Sequence, residues 1–231
     1  MRAARAAAFA ICGWCAPAAA PVVPPLADVF RIPRRRAAGT GISLTFDDGP
    51  HPQGTPAVLE LLEAARARAT FFLVGEQVLR SPGVAAAIAA AGHEVALHGF
   101  RHTLLLRRNP REVAADLDRA AAVIAEATGR EPVRYRPPYG VFSSGALVVA
   151  RRRWEPWLWS QWGRDWTATA TPAGIARRAT RTLAAGDVVL LHDADDYSAP
   201  GSWRNTVGAL PAIMEAAHAL GEPLVPLSDS T

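Results

Sequence analysis

The sequence contains no lysine: all 25 of its basic side chains are arginine. That absence excludes a lysine Schiff base and a Walker-type phosphate loop, both of which need a lysine amine. Cysteine is nearly absent too. The two present, Cys12 and Cys15, fall at the N-terminus, so their C-x-x-C spacing does not lie inside a redox fold. Long apolar runs are missing, since the stretch from Ala6 to Cys15 is too short to span a bilayer. Excess charge is missing from most of the chain. Six arginines oppose Asp28 alone in residues 1–40, whereas the remaining 19 face 20 acids, so the net charge of +4 belongs to the N-terminal stretch. A near-neutral body argues against a nucleic-acid footprint, which needs a cationic face on the domain itself.

What the N-terminus does contain is a short cationic start, Met1-Arg2-Ala3-Ala4-Arg5, the apolar run, and small residues for cleavage at Ala16-Pro17-Ala18. Residues 1–20 are therefore expected to be a signal peptide, making the protein secreted or cell-wall associated, with an uncleaved Ala/Pro extension as the alternative. Cleavage leaves no thiol and no transmembrane span, so zinc-thiolate sites and cysteine nucleophiles drop out. Residues 21–40, rich in proline and arginine, are expected to be a linker to one domain over 41–231. Half of the 231 residues are hydrophobic, enough for a full core, and α/β barrels of this size commonly stay one domain.

From Ile42 onward the chain repeats one pattern: a short apolar strand, a loop, then a helix with a marked start and stop. Thr55-Pro56, Ser81-Pro82, Asn109-Pro110 and Thr171-Pro172 each pair a capping residue with proline at the first helical position. Gly92, Gly129 and Gly186 sit where three helices are expected to end. Val113, Leu117, Ala120, Ile124 and Ala127 share one helical face, as do Ile175, Ala179 and Leu183. A last helix, near 203–219, carries Pro211 inside it. Strands are expected at 42–46, 70–74, 94–97, 133–135, 156–160, 188–191 and 223–227, several of them continuous apolar runs of the kind buried on both faces. Strands alternating with helices imply parallel pairing through right-handed crossovers. The expected fold is α/β and single-domain, a distorted seven-stranded (β/α) barrel, with an open doubly wound sheet as the alternative.

Reactive side chains cluster where these strands end. The first strand runs into Asp47-Asp48-Gly49-Pro50; later ones run into His98-Gly99-Phe100-Arg101-His102, Arg136-Pro137-Pro138-Tyr139-Gly140, Gly163-Arg164-Asp165-Trp166 and His192-Asp193. Catalytic groups in β/α barrels collect at the carboxyl ends of strands, so these endings are expected to converge on one mouth. Adjacent side chains on an extended segment point opposite ways. Asp47 and Asp48 are therefore expected to differ in role, one binding a metal or holding charge and the other moving a proton, with an ordinary Asp-Gly turn as the plain alternative. His98 and His102 are four apart, a spacing that brings both imidazoles to one side of a helical turn. With Asp48 they make a two-histidine, one-carboxylate set that leaves positions for water and substrate. Zinc suits this set, and cobalt or another divalent ion also fits. Such an ion lowers the pKa of a bound water to about 7 and polarises a carbonyl oxygen.

In this order, Thr45-Phe46-Asp47-Asp48-Gly49, His98-x-x-x-His102, Arg136-Pro137-Pro138-Tyr139, Asp165-Trp166 and Leu191-His192-Asp193 resemble the five motifs of the polysaccharide deacetylases, the NodB homology domain of carbohydrate esterase family 4. The resemblance covers about residues 41–227. It implies a distorted (β/α) barrel and a hydrolase of non-peptide carbon–nitrogen bonds, one that removes N-acetyl groups from amino sugars of a peptidoglycan-like or chitin-like polymer and releases acetate. It further implies Asp47 as base, His192 as acid, and Asp48, His98 and His102 as metal ligands. Arg136 would stand beside Asp47, Asp165 beside His192, and Trp166 and Leu190 against the acetyl methyl. A backbone N–H near Tyr139 is the expected oxyanion donor. The expected partner is an acetylated polysaccharide or oligosaccharide, met by a monomer. An O-acetyl esterase, a hydrolase of non-sugar amides and a carbohydrate-binding protein without turnover are the alternatives.

Two positions depart from the family pattern. Gly99 stands where Ser or Thr usually follows the first histidine, so a hydrogen bond bracing that loop is expected to be missing. Trp162 stands where a further Asp often begins the fourth motif, which predicts a changed groove shape. Elsewhere, Trp154, Trp157 and Trp159 are spaced as packing side chains are. His51 and His93 read as structural, Arg151-Arg152-Arg153 as a solvated helix end, and Asp195 with Asp196 as part of the loop that shapes the groove.

Overall fold

A computed structural model describes residues 14–36 and 41–229. Seven strands, β1 (Ser43–Asp47), β2 (Thr70–Leu73), β3 (Glu94–Leu97), β4 (Arg134–Tyr135), β5 (Glu155–Pro156), β6 (Gln161–Trp162) and β7 (Val188–His192), form one sheet in the order β5-β4-β3-β2-β1-β7-β6. Every pairing is parallel. β1 lies mid-sheet with both edges taken, and all five of its residues are buried. Alternation then sorts its side chains. Phe46 goes to the apolar core, its ring 5.0 Å from that of Phe71, whereas Thr45 and Asp47 share the other face and both bond Arg136.

The sheet must curl. Its two edge strands are joined by residues 157–160 alone, and five residue steps span at most about 18 Å. The edges therefore face each other across a short seam, which is barrel closure in distorted form. The N-terminal segment fills that seam: Leu158 N–H donates to Pro33 O at 2.9 Å, Arg34 Nε to Trp159 O at 2.9 Å, and Arg35 pairs with Asp187 at 2.6 Å. Where a linker is expected at 21–40, the described part is packed, with a helix, α1 (Pro24–Val29), and with Ala27, Ile32 and Arg36 buried. Of the expected signal peptide, residues 1–13 lie outside the described residues. Trp14 donates its indole N–H to Leu106 O at 3.1 Å. Among the described residues no helix is long and apolar enough to cross a membrane.

The remaining helices, α2 (Gly54–Ala64), α3 (Gly75–Arg80), α4 (Pro82–Ala90), α5 (Pro110–Thr128), α6 (Ser144–Ala150), α7 (Pro172–Thr180) and α8 (Ser202–Ala219), pack on the sheet and on one another. α5 shows why the sequence marks them so clearly. Asn109 and Glu112 form a reciprocal capping box, Gly129 closes the helix at φ 66, and Val113, Leu117, Ala120 and Ile124 are the buried face. Pro211 lies inside α8 as expected.

Some expectations give way. The strand at 156–160 is instead two short strands: the segment pairs β4 at its start and β7 at its end, and crosses the seam between. Residues 223–227 make no strand, because β2 and β7 already occupy both edges of β1. The segment reaches only the foot of β1, through Ile42 N to Pro223 O at 2.9 Å and Val225 N to Ile42 O at 3.0 Å. Thr55 is not a cap, since α2 begins at Gly54; its hydroxyl donates to Asp193 and accepts from His51 N. Gly186 does not end a helix, since α7 stops at Thr180.

Candidate active site

β1 delivers Asp47 in extended conformation, and Asp48 then turns into the left-handed region at φ 78. That turn undoes the strand's alternation. Asp47 Oδ2 and Asp48 Oδ1 lie 3.9 and 3.4 Å from one atom, His98 Nε2. His102 Nε2 is 3.2 Å from the same Asp48 oxygen. Glycine follows at 49 because a Cβ there would meet the Asp193 carboxylate at 2.6 Å. The imidazole nitrogens at 3.4 and 3.2 Å from one carboxylate oxygen suit a tetrahedral ion with ligands at about 2.0–2.1 Å, whose donors lie about 3.3 Å apart. Asp48 Oδ1 is buried with no hydrogen-bond partner among the described residues, an arrangement that is unfavourable until a cation takes it. Burial alone would raise the Asp48 carboxyl, yet the imidazoles of His102 and His98 hold it well below the usual carboxylate range. His98 Nδ1 lies 2.8 Å from Arg136 O. A carbonyl only accepts, so Nδ1 carries a proton, which leaves Nε2 as the nitrogen able to ligate. The donor set fits one divalent ion.

The flanking groups are each held by a charged partner within the protein. Arg136 is wholly buried and donates from Nη1 to Asp47 Oδ1 at 2.7 Å and Thr45 Oγ1 at 2.8 Å, and from Nη2 to Leu158 O at 3.0 Å. Burial pulls its guanidinium below the usual range, and the Asp47 charge opposes that. At the end of β7, the His192 backbone N–H donates to Asp165 Oδ2 at 2.7 Å and its Nδ1 lies 2.9 Å from Asp165 Oδ1. Thr206 donates to the same carboxylate at 2.8 Å. Burial would lower the His192 pKa, but the Asp165 carboxylate, helped by Asp48 and Asp47, raises it from 6.5 to about 10. Nε2 is the nitrogen left for the cleft.

Asp47, Asp48, His98, His102, Tyr139, Trp166, Leu190 and His192 line one cleft of about 320 Å³. Arg136 and Asp165 stand behind it, each bonded to a lining residue. Every site residue expected from the sequence is thus gathered in one place. Tyr139 sits at φ 61 and is 56% exposed at the mouth. Leu190 is buried in the wall, and Trp166 meets His192 edge-on at 5.5 Å.

A family model described as polysaccharide deacetylase matches residues 34–153, just over half of the chain. The chain belongs to the polysaccharide deacetylase family. It is 31% identical over 191 residues to the peptidoglycan-N-acetylglucosamine deacetylase of Bacillus cereus, which covers 81% of this chain and 86% of that one. It is 34% identical over 196 residues to a chitooligosaccharide deacetylase of Azorhizobium caulinodans, covering 81% and 93%. In fold it is similar to a crystal structure of a peptidoglycan N-acetylglucosamine deacetylase, with TM-score 0.81 and 25% identity over 88% of this chain and 94% of that one.

In this family member the cleft also has residues that no motif announced: Gly140, Trp159, Tyr197 and Ser198. Trp162 lines it too, 5.5 Å from Trp166, so the departure noted in the fourth motif does shape the groove. Tyr197 lies in an acidic loop with no recognisable pattern, and only the fold brings it to His102. Asp193 is buried beneath Gly49 and Thr55, and burial raises its carboxyl to about 7. His51 and His93, expected to be structural, both accept backbone hydrogen bonds. His51 Nδ1 accepts from Gly54 N at 2.8 Å at the start of α2, and His93, lowered to about 4 by burial, accepts from Ala69 N at 3.2 Å.

Proposed function

We propose that this chain is a metal-dependent hydrolase that removes N-acetyl groups from amino sugars of a polysaccharide or oligosaccharide, of the peptidoglycan or chitin type, and releases acetate. The observation that carries the reading is the pairing, in one cleft, of a buried, unpartnered Asp48 oxygen facing two imidazoles with two proton groups on its flanks, one braced by a guanidinium and one by a carboxylate. Asp48, His98 and His102 hold the ion, zinc by the chemistry of two imidazoles and one carboxylate, with cobalt or another divalent ion able to replace it. When bound, that ion acidifies water and polarises the acyl oxygen.

The chain's own residues do the rest. Arg136 fixes Asp47 through Oδ1, leaving Oδ2 to take a proton from the attacking water. The water oxygen bonds the acetyl carbon, and the backbone N–H of Tyr139 donates to the oxyanion that develops. As the carbon–nitrogen bond breaks, His192 gives its Nε2 proton to the departing amine. Asp165 keeps that imidazole charged and oriented until then. Leu190 and Trp166 supply an apolar wall of the size and character of an acetyl methyl. Export through residues 1–20 to the cell wall or medium, and action as a monomer, complete the proposal.

Acetate release from chitin oligomers, peptidoglycan, acetylated xylan and simple amides, measured on metal-loaded protein, tests it. The expected result is release from the N-acetylated glycans. Release confined to xylan would make the protein an O-acetyl esterase, and release confined to simple amides would remove the sugar from the proposal. Metal and sugar binding with no acetate from any substrate would leave a carbohydrate-binding protein.

A further inference from the structure

The two histidines of the metal set are held by different means. His98 donates through Nδ1 to a backbone carbonyl, the usual way of fixing a ligating imidazole. His102 Nδ1 is buried and has no hydrogen-bond partner among the described residues. Its ring is instead enclosed by two tyrosines. Tyr197 stacks on it at 4.2 Å with 13° between planes, and Tyr139 meets it edge-on at 4.6 Å. The stacked ring is itself pinned: Tyr197 Oη donates to Glu76 Oε1 at 2.7 Å and accepts from Gln77 Nε2 at 3.1 Å. Those two residues open α3, and the same helix start bonds the histidine loop, through Gly75 N to Gly99 O at 2.9 Å and Glu76 N to Phe100 O at 3.0 Å. Ring, anchor and loop thus share one mount.

Gly99 explains why stacking is used. Its φ of +91 disfavours any L side chain, and a Cβ built there would stand 3.3 Å from Asp116 Oδ2, the atom that accepts from Phe100 N. A hydroxyl-bearing residue at 99 is therefore strained, and the brace it would supply is absent. We infer that Tyr197 is a positioning residue for His102, fixing the plane of the metal-binding imidazole by ring stacking in place of a hydrogen bond. This rests on the proposed metal site. Once a cation draws electron density from the imidazole, the electron-rich phenol face opposite attracts it more strongly.

The test is the affinity of the metal-free protein for Co²⁺ and Zn²⁺, read by competition with a chromophoric chelator, together with the Co²⁺ absorption spectrum. Tyr197→Ala is expected to weaken binding about 10- to 100-fold, as loss of an outer support to a ligand does, and to alter the Co²⁺ bands. Tyr197→Phe keeps the ring and is expected to bind nearly as the wild type does. Should the alanine variant fail to fold, Tyr197→Leu serves, with the melting temperature of the metal-free form as the check. Wild-type affinity in a folded alanine or leucine variant would overturn the inference, including where KM for the glycan rises, since that pattern marks a substrate contact alone. A wild-type protein that binds neither ion would overturn the metal site itself, a separate result.

Discussion

Asp47 and Asp48 are adjacent in sequence and equally buried, at 3% exposure each, and their surroundings are opposite. Asp47 is met by a guanidinium at 2.7 Å, itself held by Thr45 and Leu158. Asp48 presents an oxygen that nothing in the described protein bonds, toward two imidazole nitrogens at 3.2 and 3.4 Å. The histidines differ likewise in the kind of partner: a carboxylate meets His192 Nδ1, whereas a neutral carbonyl meets His98 Nδ1 and no hydrogen-bond partner among the described residues meets His102 Nδ1. A group that moves a proton benefits from a fixed counter-charge that sets its pKa and orientation. A group that binds a cation must keep the lone pair of its ligating atom free, because a partner on that atom competes with the ion. A charged internal partner thus separates the proposed proton groups from the proposed ligands where residue type and burial do not.

Substitutions break this contrast in order of size. His98→Ala removes a ligand, so metal content measured by atomic emission should fall and acetate release should drop to background. Asp47→Asn keeps the size and the metal but not the base. Turnover should fall about 10²- to 10⁴-fold with metal content unchanged, and a variant with normal rates would remove Asp47 from its role. Asp165→Asn acts through its neighbour: the His192 imidazole, followed by its NMR chemical shift, should titrate well below its present value of about 10, with turnover down about 10²-fold. Because that pKa is raised, the folded state holds the proton more tightly than the unfolded one. The stability it contributes is whole below about 6.5 and is lost as pH rises through about 10. Melting temperatures taken across that window should fall more in the wild type than in Asp165→Asn. Arg136→Met leaves Asp47 buried and unpaired, and urea unfolding should show a loss of about 3–5 kcal/mol. The smallest effect belongs to Trp162→Ala at the groove wall, expected to weaken glycan binding by about 1 kcal/mol with metal affinity untouched.

How much of this was legible in the sequence depended on how local the cause was. β1 and α5 carry their own evidence in a continuous apolar run and in a capping box closed by Gly129, and both appear where expected. The five strand endings were legible because each is a short, chemically distinctive run. The seam was not. β5 and β6 are two residues each, and what defines them is which distant strand they meet, β4 or β7. Residues 223–227 look like a strand and fail only because β1 has no free edge. Thr55 looks like a cap, yet its hydroxyl is engaged with Asp193. Tyr197 is the clearest omission, because its partner lies on the far side of the barrel sequence and nothing around it marks a role.

The central claim is that Asp48, His98 and His102 hold one cation on which deacetylation depends. Titrating chelator-treated protein with Zn²⁺ while following acetate release from a chitin oligomer tests it most directly. The account predicts no release without metal and full activity at one equivalent of ion per chain. Undiminished release from protein shown to be free of metal would contradict it.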